Sequence, residues 1–231
     1  MTARFDELEI LKGKRGYDAA DRMIMDVNRI SLAEFGKLRG MDLSDLRSVM
    51  TIGRVYKYLL KVVRKRAYEV GYESYLLGLA ACGISGREAY QMAEHAINDE
   101  WADMIVHETD LVTLYRFDSE TERKAGRLIE ALAAIGTIRA DTGYVTSPTA
   151  EIDRALKAWS RQVGQFAIWV TDSAVRKAYL NAGVKKVAWV TRQDERVCQE
   201  CGGLDGKVFP IDEVPPKPHW GCRCWLRPVL E

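Results

Sequence analysis

The first 147 residues contain no proline; all six prolines of this 231-residue chain lie from Pro148 onward. Proline removes a backbone donor and clashes with the preceding helical turn, so a stretch this long without it is free to run as helices. The apolar residues agree. From Asp18 to Leu38 they fall at Ala20, Met23, Ile24, Val27, Ile30 and Leu32, near a helical period, with Gly36 and Gly40 weakening the end. Ser44 is placed to cap a second helix through Ile52, Val55, Leu59, Val62 and Val63, which continues past Tyr68, Tyr72 and Leu76 toward Gly83. Ser85-Gly86-Arg87-Glu88 matches a capping box, in which serine and glutamate each satisfy an orphan helix-end N–H. It predicts one long helix through Ala89, Met92, Ala96, Trp101, Ile105 and Val106. Another helix is predicted over Ser119 to Ile138, then a loop at 141–146. Ser147-Pro148 supplies a cap and a proline at the first helical position. Ile152, Leu156, Trp159, Val163, Phe166, Val170, Ala174 and Ala178 carry that helix to Leu180, and Asn181-Ala182-Gly183 stops it.

After Gly183 the texture changes. Val187 to Val190 is β-rich, and glycine and proline become frequent. Four of the five cysteines then fall in two groups: Cys198-x-x-Cys201, and His219-x-x-Cys222-x-Cys224. A tetrahedral zinc ion takes four soft or borderline ligands from two such groups. Five candidates compete for four places. The preferred set is Cys198, Cys201, His219 and one of Cys222 or Cys224; the alternative is all-thiolate, with His219 outside the ligand set. Gly202-Gly203 frees the backbone to turn beneath the metal. The loop from Cys201 to His219 has room for a small hairpin, with Asp205-Gly206 as a two-residue turn between Leu204 and Val208-Phe209. A pair of disulfides would need an oxidising compartment, for which the sequence offers no argument. Scattered thiols would not explain the pairing. A full ligand set leaves no open position, so the expected role is structural. A segment this short with few large apolar side chains needs such a staple, and binding free energy then becomes folding free energy.

These residues also carry a resemblance. Trp189-Val190-Thr191, Asp194, Arg196-Val197-Cys198, Cys201, Leu204-Asp205-Gly206-Lys207-Val208-Phe209 and His219-x-x-Cys222-Arg223-Cys224 resemble the C-terminal signature of the phage head morphogenesis family, the phage Mu F-like minor head (minor capsid) proteins. The similarity is dense from Ala182 to Pro228 and extends into the preceding helix. Where that pattern has a proline between the first two cysteines and His-Pro before the last pair, Gln199-Glu200 and Trp220 stand here. The resemblance implies an assembly protein of a tailed phage or prophage, acting in head morphogenesis with the portal and major capsid proteins. It implies a place in the virion, in the head interior or near the portal, and in the host cytoplasm during assembly. Some members carry a toxin or enzyme domain after this module; seven residues follow Cys224 here, so none is expected.

Composition narrows the remaining classes. The chain has the length of one large domain or two small ones and an ordinary apolar content of 47%. A net charge of +1 gives no global attraction to nucleic acid or anionic membrane. No apolar run reaches the length of a membrane span, and the N-terminus lacks a secretory pattern. Lone Cys82 reads as a small buried residue. No Gly-rich phosphate loop, Gly-x-Ser-x-Gly or His-Glu-x-x-His is present, and with three histidines in the chain an enzyme, a metal-dependent hydrolase included, is not expected. No small-molecule substrate is expected either.

Two further patterns need weighing. Arg54, Lys57, Lys61, Arg64 and Lys65 recur at three- and four-residue spacing. A solvated helix face is the simpler reading, and a phosphate-facing stripe the alternative. With Lys185, Lys186, Arg192, Arg223 and Arg227 they would make a nucleic-acid-binding zinc module, contacting packaged or ejected DNA. His95, Asp99, Asp103 and His107 follow at four-residue steps, but no other helix supplies the Glu-x-x-His that a di-metal centre needs, so a solvated acidic face is expected. The expected fold is mainly α: an extended helical region, residues 1–146, making partner contacts, followed by the head morphogenesis domain at 147–231, whose last part, 184–231, is a small α+β module stabilised by zinc.

Overall fold

The computed structural model describes residues 3–39, 41, 46–107, 117–138, 147–192, 197–219 and 221–230. Gly40, the Ser44 cap, the loop at 141–146, the motif residues 194–196 and Trp220 lie outside them.

Three long helices make the frame: α1 (Ala3–Leu38), α2 (Leu46–Ala81) and α6 (Pro148–Asn181), each packed on the other two. Shorter helices α3 (Gly86–Ala96), α4 (Asp99–His107) and α5 (Phe117–Ile138) lie against α2, and α5 also against α6. Trp159 of α6 sits fully buried at the junction. Its ring meets Tyr56 of α2 edge-on at 5.8 Å and Phe117 of α5 at 5.6 Å, and its indole N–H donates to Ser31 Oγ of α1 at 2.7 Å. One side chain thus ties four helices together, and its polar atom is satisfied where water is excluded. Glycines set two of the approaches. A Cβ on Gly78 would lie 2.7 Å from the Ala178 methyl of α6, and one on Gly71 would lie 2.3 Å from the Trp101 ring of α4.

The predicted second helix runs unbroken to Ala81, and Ser147 caps α6 as expected, accepting from Ala150 N–H at 3.2 Å. The helix after Ser85 differs. Ser85 makes no side-chain cap bond, and the single helix expected there is two. The break falls at Asn98, whose Oδ1 accepts from Trp101 N–H at 2.9 Å and starts α4 anew while Ile97 stays buried. A capping side chain in mid-pattern outweighs apolar periodicity that runs through it.

Past Gly183, which takes φ +77 at the helix stop, the chain forms a three-stranded antiparallel sheet of order β2-β1-β3. Its strands are β1 (Lys186–Val190), β2 (Val208–Pro210) and β3 (Trp225–Val229), with the short helix α7 (Gln199–Leu204) between β1 and β2. The local hairpin expected between Cys201 and His219 does not form. Leu204 ends α7, and the Asp205-Gly206 turn docks on β1: Gly206 N–H donates to Trp189 O at 2.8 Å, and Thr191 N–H to Asp205 Oδ1 at 2.7 Å. β2 then pairs with β1, Val187 opposite Phe209. The fold is mainly helical with a small C-terminal sheet. Among the described residues, no helix is long and apolar enough to cross a membrane.

Candidate metal centre

β1 divides its buried side chains between two clusters. Val187 packs with Tyr179, Val184 and Ile211 at the end of α6. Trp189 packs with Cys201, Cys222 and Cys224. The strand, α7 and the segment before β3 thereby bring together cysteines that are up to 26 positions apart in sequence.

The first pair is held by a helical turn. Cys198 is the N-cap of α7, and its Sγ accepts from Cys201 N–H at 3.3 Å. Gly202 and Gly203 lie inside α7 without positive φ, so the turn under the first pair is helical and makes no use of glycine's extra freedom. The second group comes back along the segment before β3, where Gly221 takes φ +72. Two triads of possible ligand atoms result, each with all its atoms within 4.8 Å of one another: Cys198, Cys201 and His219, and Cys201, Cys222 and Cys224. Cys201 belongs to both. All five candidates therefore meet in one place, and none of the thiols forms a disulfide. Cys201, Cys222 and Cys224 are buried, Cys198 is half-buried and His219 is exposed.

Two donor spacings around Cys201 match a tetrahedral zinc ion, while no four of the candidate atoms lie within 4.8 Å of one another. With bonds of about 2.3 Å to sulfur and 2.0–2.1 Å to nitrogen, tetrahedral geometry puts two sulfurs about 3.8 Å apart and a sulfur about 3.5 Å from a nitrogen. Cys201 Sγ lies 3.6 Å from Cys222 Sγ and 3.4 Å from His219 Nε2. Electrostatics point the same way. Cys222 is pulled down to about 5, mainly by the Cys224 thiol donating to it. Burial pushes Cys201 up to about 12, and the bond to Cys222 followed by burial raises Cys224 further. Cys198 is lowered too, first by the Cys201 N–H that its Sγ accepts. More negative charge in the cluster needs a cation to balance it.

Behind the ligands stands a polar shell. Lys217 Nζ donates to Cys222 O at 3.1 Å, and Tyr17 of α1 has its hydroxyl 3.0 Å from Cys224 O. Gly221 N–H donates to Gln165 Oε1 of α6 at 2.6 Å. Asp172 of α6 closes the set, 2.5 Å from Lys217 Nζ and 3.0 Å from the Tyr17 hydroxyl. Desolvation works against the Lys217 charge, but Asp172 and then Tyr17 outweigh it and raise its pKa, so the ammonium persists. Tyr17, Gln165, Asp172 and Lys217 were not among the residues singled out from sequence. The available signal was Gln165 and Asp172, seven apart on one face of α6.

The other candidates are dispersed. Arg192 and Arg223 line the cleft over the thiols, Arg192 also lying 5.7 Å above the Tyr17 ring. Lys185, Lys186 and Arg227 are exposed on or beside the sheet. On α2, Arg54, Lys57, Lys61 and Lys65 are exposed, whereas Arg64 turns to Asp103 and Asp99 of α4. His95 lies on α3, apart from Asp99, Asp103 and His107 on α4, and His107 Nδ1 meets Asp118 Oδ2 at 2.7 Å. That row is therefore divided by the helix break, with Asp99 and Asp103 paired to Arg64.

Two comparisons find no partner for the chain: no curated protein and no solved structure matches it. The family model described as phage Mu protein F like protein matches residues 88–227. That is well over half of the chain, from α3 into β3, with all five candidate ligands inside it, and the chain belongs to the phage Mu protein F like family.

Proposed function

We propose that this chain is a head morphogenesis protein of a tailed phage or prophage, a structural partner of the portal and major capsid proteins. The family match over 88–227 carries the reading. The proposed division of labour has the helices of residues 1–146 contacting assembly partners, while residues 147–231, which take in the C-terminal part of the family match, form the head morphogenesis module. We further propose that one zinc ion holds the C-terminal module, bound by Cys201 with three of Cys198, His219, Cys222 and Cys224. The ligand spacings above support zinc in a structural role, contributing folding energy without turnover of a substrate.

The assembly reading has a direct test. Co-expression with the portal and capsid proteins of the same phage should recruit the chain to procapsids, detected in purified particles. Failure to co-purify with procapsids, mature heads or isolated portal rings would sink it.

A further inference from the structure

α2 carries a second surface, outside the residues that match the family. From Arg47 to Tyr68 the sequence has seven cations and no acid, in a chain that has 33 Asp and Glu residues. The fold sorts these cations. Arg64 is paired with Asp103, and Arg66 with Asp26 and Glu69. The other five, Arg47, Arg54, Lys57, Lys61 and Lys65, are exposed, and among the described residues no ion pair engages them. At 100° per residue all five fall within a single exposed arc of the helix, opposite buried Ile52, Val55, Leu59 and Val63. They extend over about 27 Å of helix axis, at 1.5 Å per residue. Exposed Tyr58 lies in the same arc.

We propose that this face of α2 binds the phosphate backbone of duplex DNA, without reading its sequence. A row of exposed cations with no acid inside its segment is charge-complementary to a polyanion. A protein partner would ask for something different. Interface centres are depleted of lysine, and three of these five cations are lysines. Phosphate contacts are made well by point charges on flexible stems, and each one releases counterions. Arg64, included in the stripe from sequence, is replaced by Arg47. The inference does not rest on the head morphogenesis reading, since α2 lies before residue 88.

The test is binding of the full-length, metal-loaded chain to a fluorescent 30-base-pair duplex at several salt concentrations. Five phosphate contacts predict a log–log salt slope near −4.5, a fall of roughly 500-fold in affinity between 50 and 200 mM salt. The double variant Lys57→Gln/Lys61→Gln should make that slope shallower by about 1.8, two contacts fewer. The charge-matched variant Lys157→Gln/Arg161→Gln, at exposed positions of α6, should leave the slope unchanged. Duplexes of unrelated sequence should bind alike. Lack of binding at 50 mM salt would overturn the proposal, as would equal effects of the two double variants. So would poly-glutamate displacing the duplex at equal charge concentration, because the face would then suit an acidic protein segment.

Discussion

The Tyr17 hydroxyl on α1 lies 3.0 Å from the carbonyl oxygen of Cys224, 207 positions further along the chain. The same hydroxyl accepts from Lys217 Nζ at 3.0 Å. A helix from the start of the chain therefore holds the backbone of a candidate metal ligand near its end. Tyr17→Phe keeps the buried ring and removes the hydroxyl, leaving a buried carbonyl and ammonium short of a partner. The expected loss is about 1–3 kcal/mol of stability, the usual cost of an orphaned buried polar group. Chemical denaturation of the two proteins measures it. Limited proteolysis should also show earlier cleavage between β2 and β3 in the variant, since that loop loses one of its ties to α1.

Two glycines of α2 should respond oppositely to alanine. Gly53 has nothing within 4 Å of the added methyl, so Gly53→Ala should stabilise by up to about 1 kcal/mol through helix propensity. Gly78→Ala meets the Ala178 methyl at 2.7 Å and the Val175 backbone at 3.2–3.3 Å. Neither neighbour is the free end of a flexible side chain. The helices must part, and overpacking of this kind costs about 1–3 kcal/mol, more than the propensity gain. Thermal unfolding monitored by circular dichroism gives both signs; a stabilised Gly78→Ala would mean that α2 and α6 cross elsewhere.

Trp159→Phe should be among the costliest conservative changes in the helical core. It removes the bond to Ser31 Oγ and leaves unfilled volume among Tyr56, Phe117 and Ser31. Ser31→Ala instead orphans the indole N–H while nearly preserving volume, at about 1–3 kcal/mol. Ser31 also donates to Val27 O within its own helix, a carbonyl that keeps its backbone partner, so the indole N–H is the group left to re-pair. If the contact acts as a unit, the double variant should destabilise less than the sum of the two single changes, and a double-mutant cycle reads that coupling.

The helices were legible because their signals are local: no proline, apolar residues at one period, Ser147-Pro148 at a start and Gly183 at a stop. The meeting of Cys198, Cys201, His219, Cys222 and Cys224 was legible because ligand spacing is itself a sequence pattern. What failed depended on competition or on distance. Asn98 capped a new helix inside a run whose apolar period continued through it. Leu204 went into α7 because the Asp205-Gly206 turn found its partners on β1 and not in a hairpin of its own. Tyr17 and Lys217 gave no sign of their role, since nothing near either in sequence records a contact 200 residues away. Arg64 and Arg47 exchanged places in the basic stripe for the same reason: the acids that claim Arg64 lie on another helix.

Metal content and folding of the C-terminal module should be lost together. Purified protein is expected to hold about one zinc per chain, the stoichiometry of a single four-ligand site. Cys198→Ser/Cys201→Ser removes the helical-turn pair, including the residue common to both triads. Without it the remaining ligands cannot complete four places, and the sheet, whose β1 packs Trp189 on the thiols, loses one of its two supports. The helices α1 to α6 keep their own core around Trp159. The expected result is near-normal helical circular dichroism, zinc below one-tenth of stoichiometric by atomic emission, and rapid proteolysis after Gly183. A chelator should reproduce that cleavage in the unmodified protein, and added zinc should reverse it. A double variant that remains protease-resistant after Gly183 while free of metal would show that β1 is held by α6 alone.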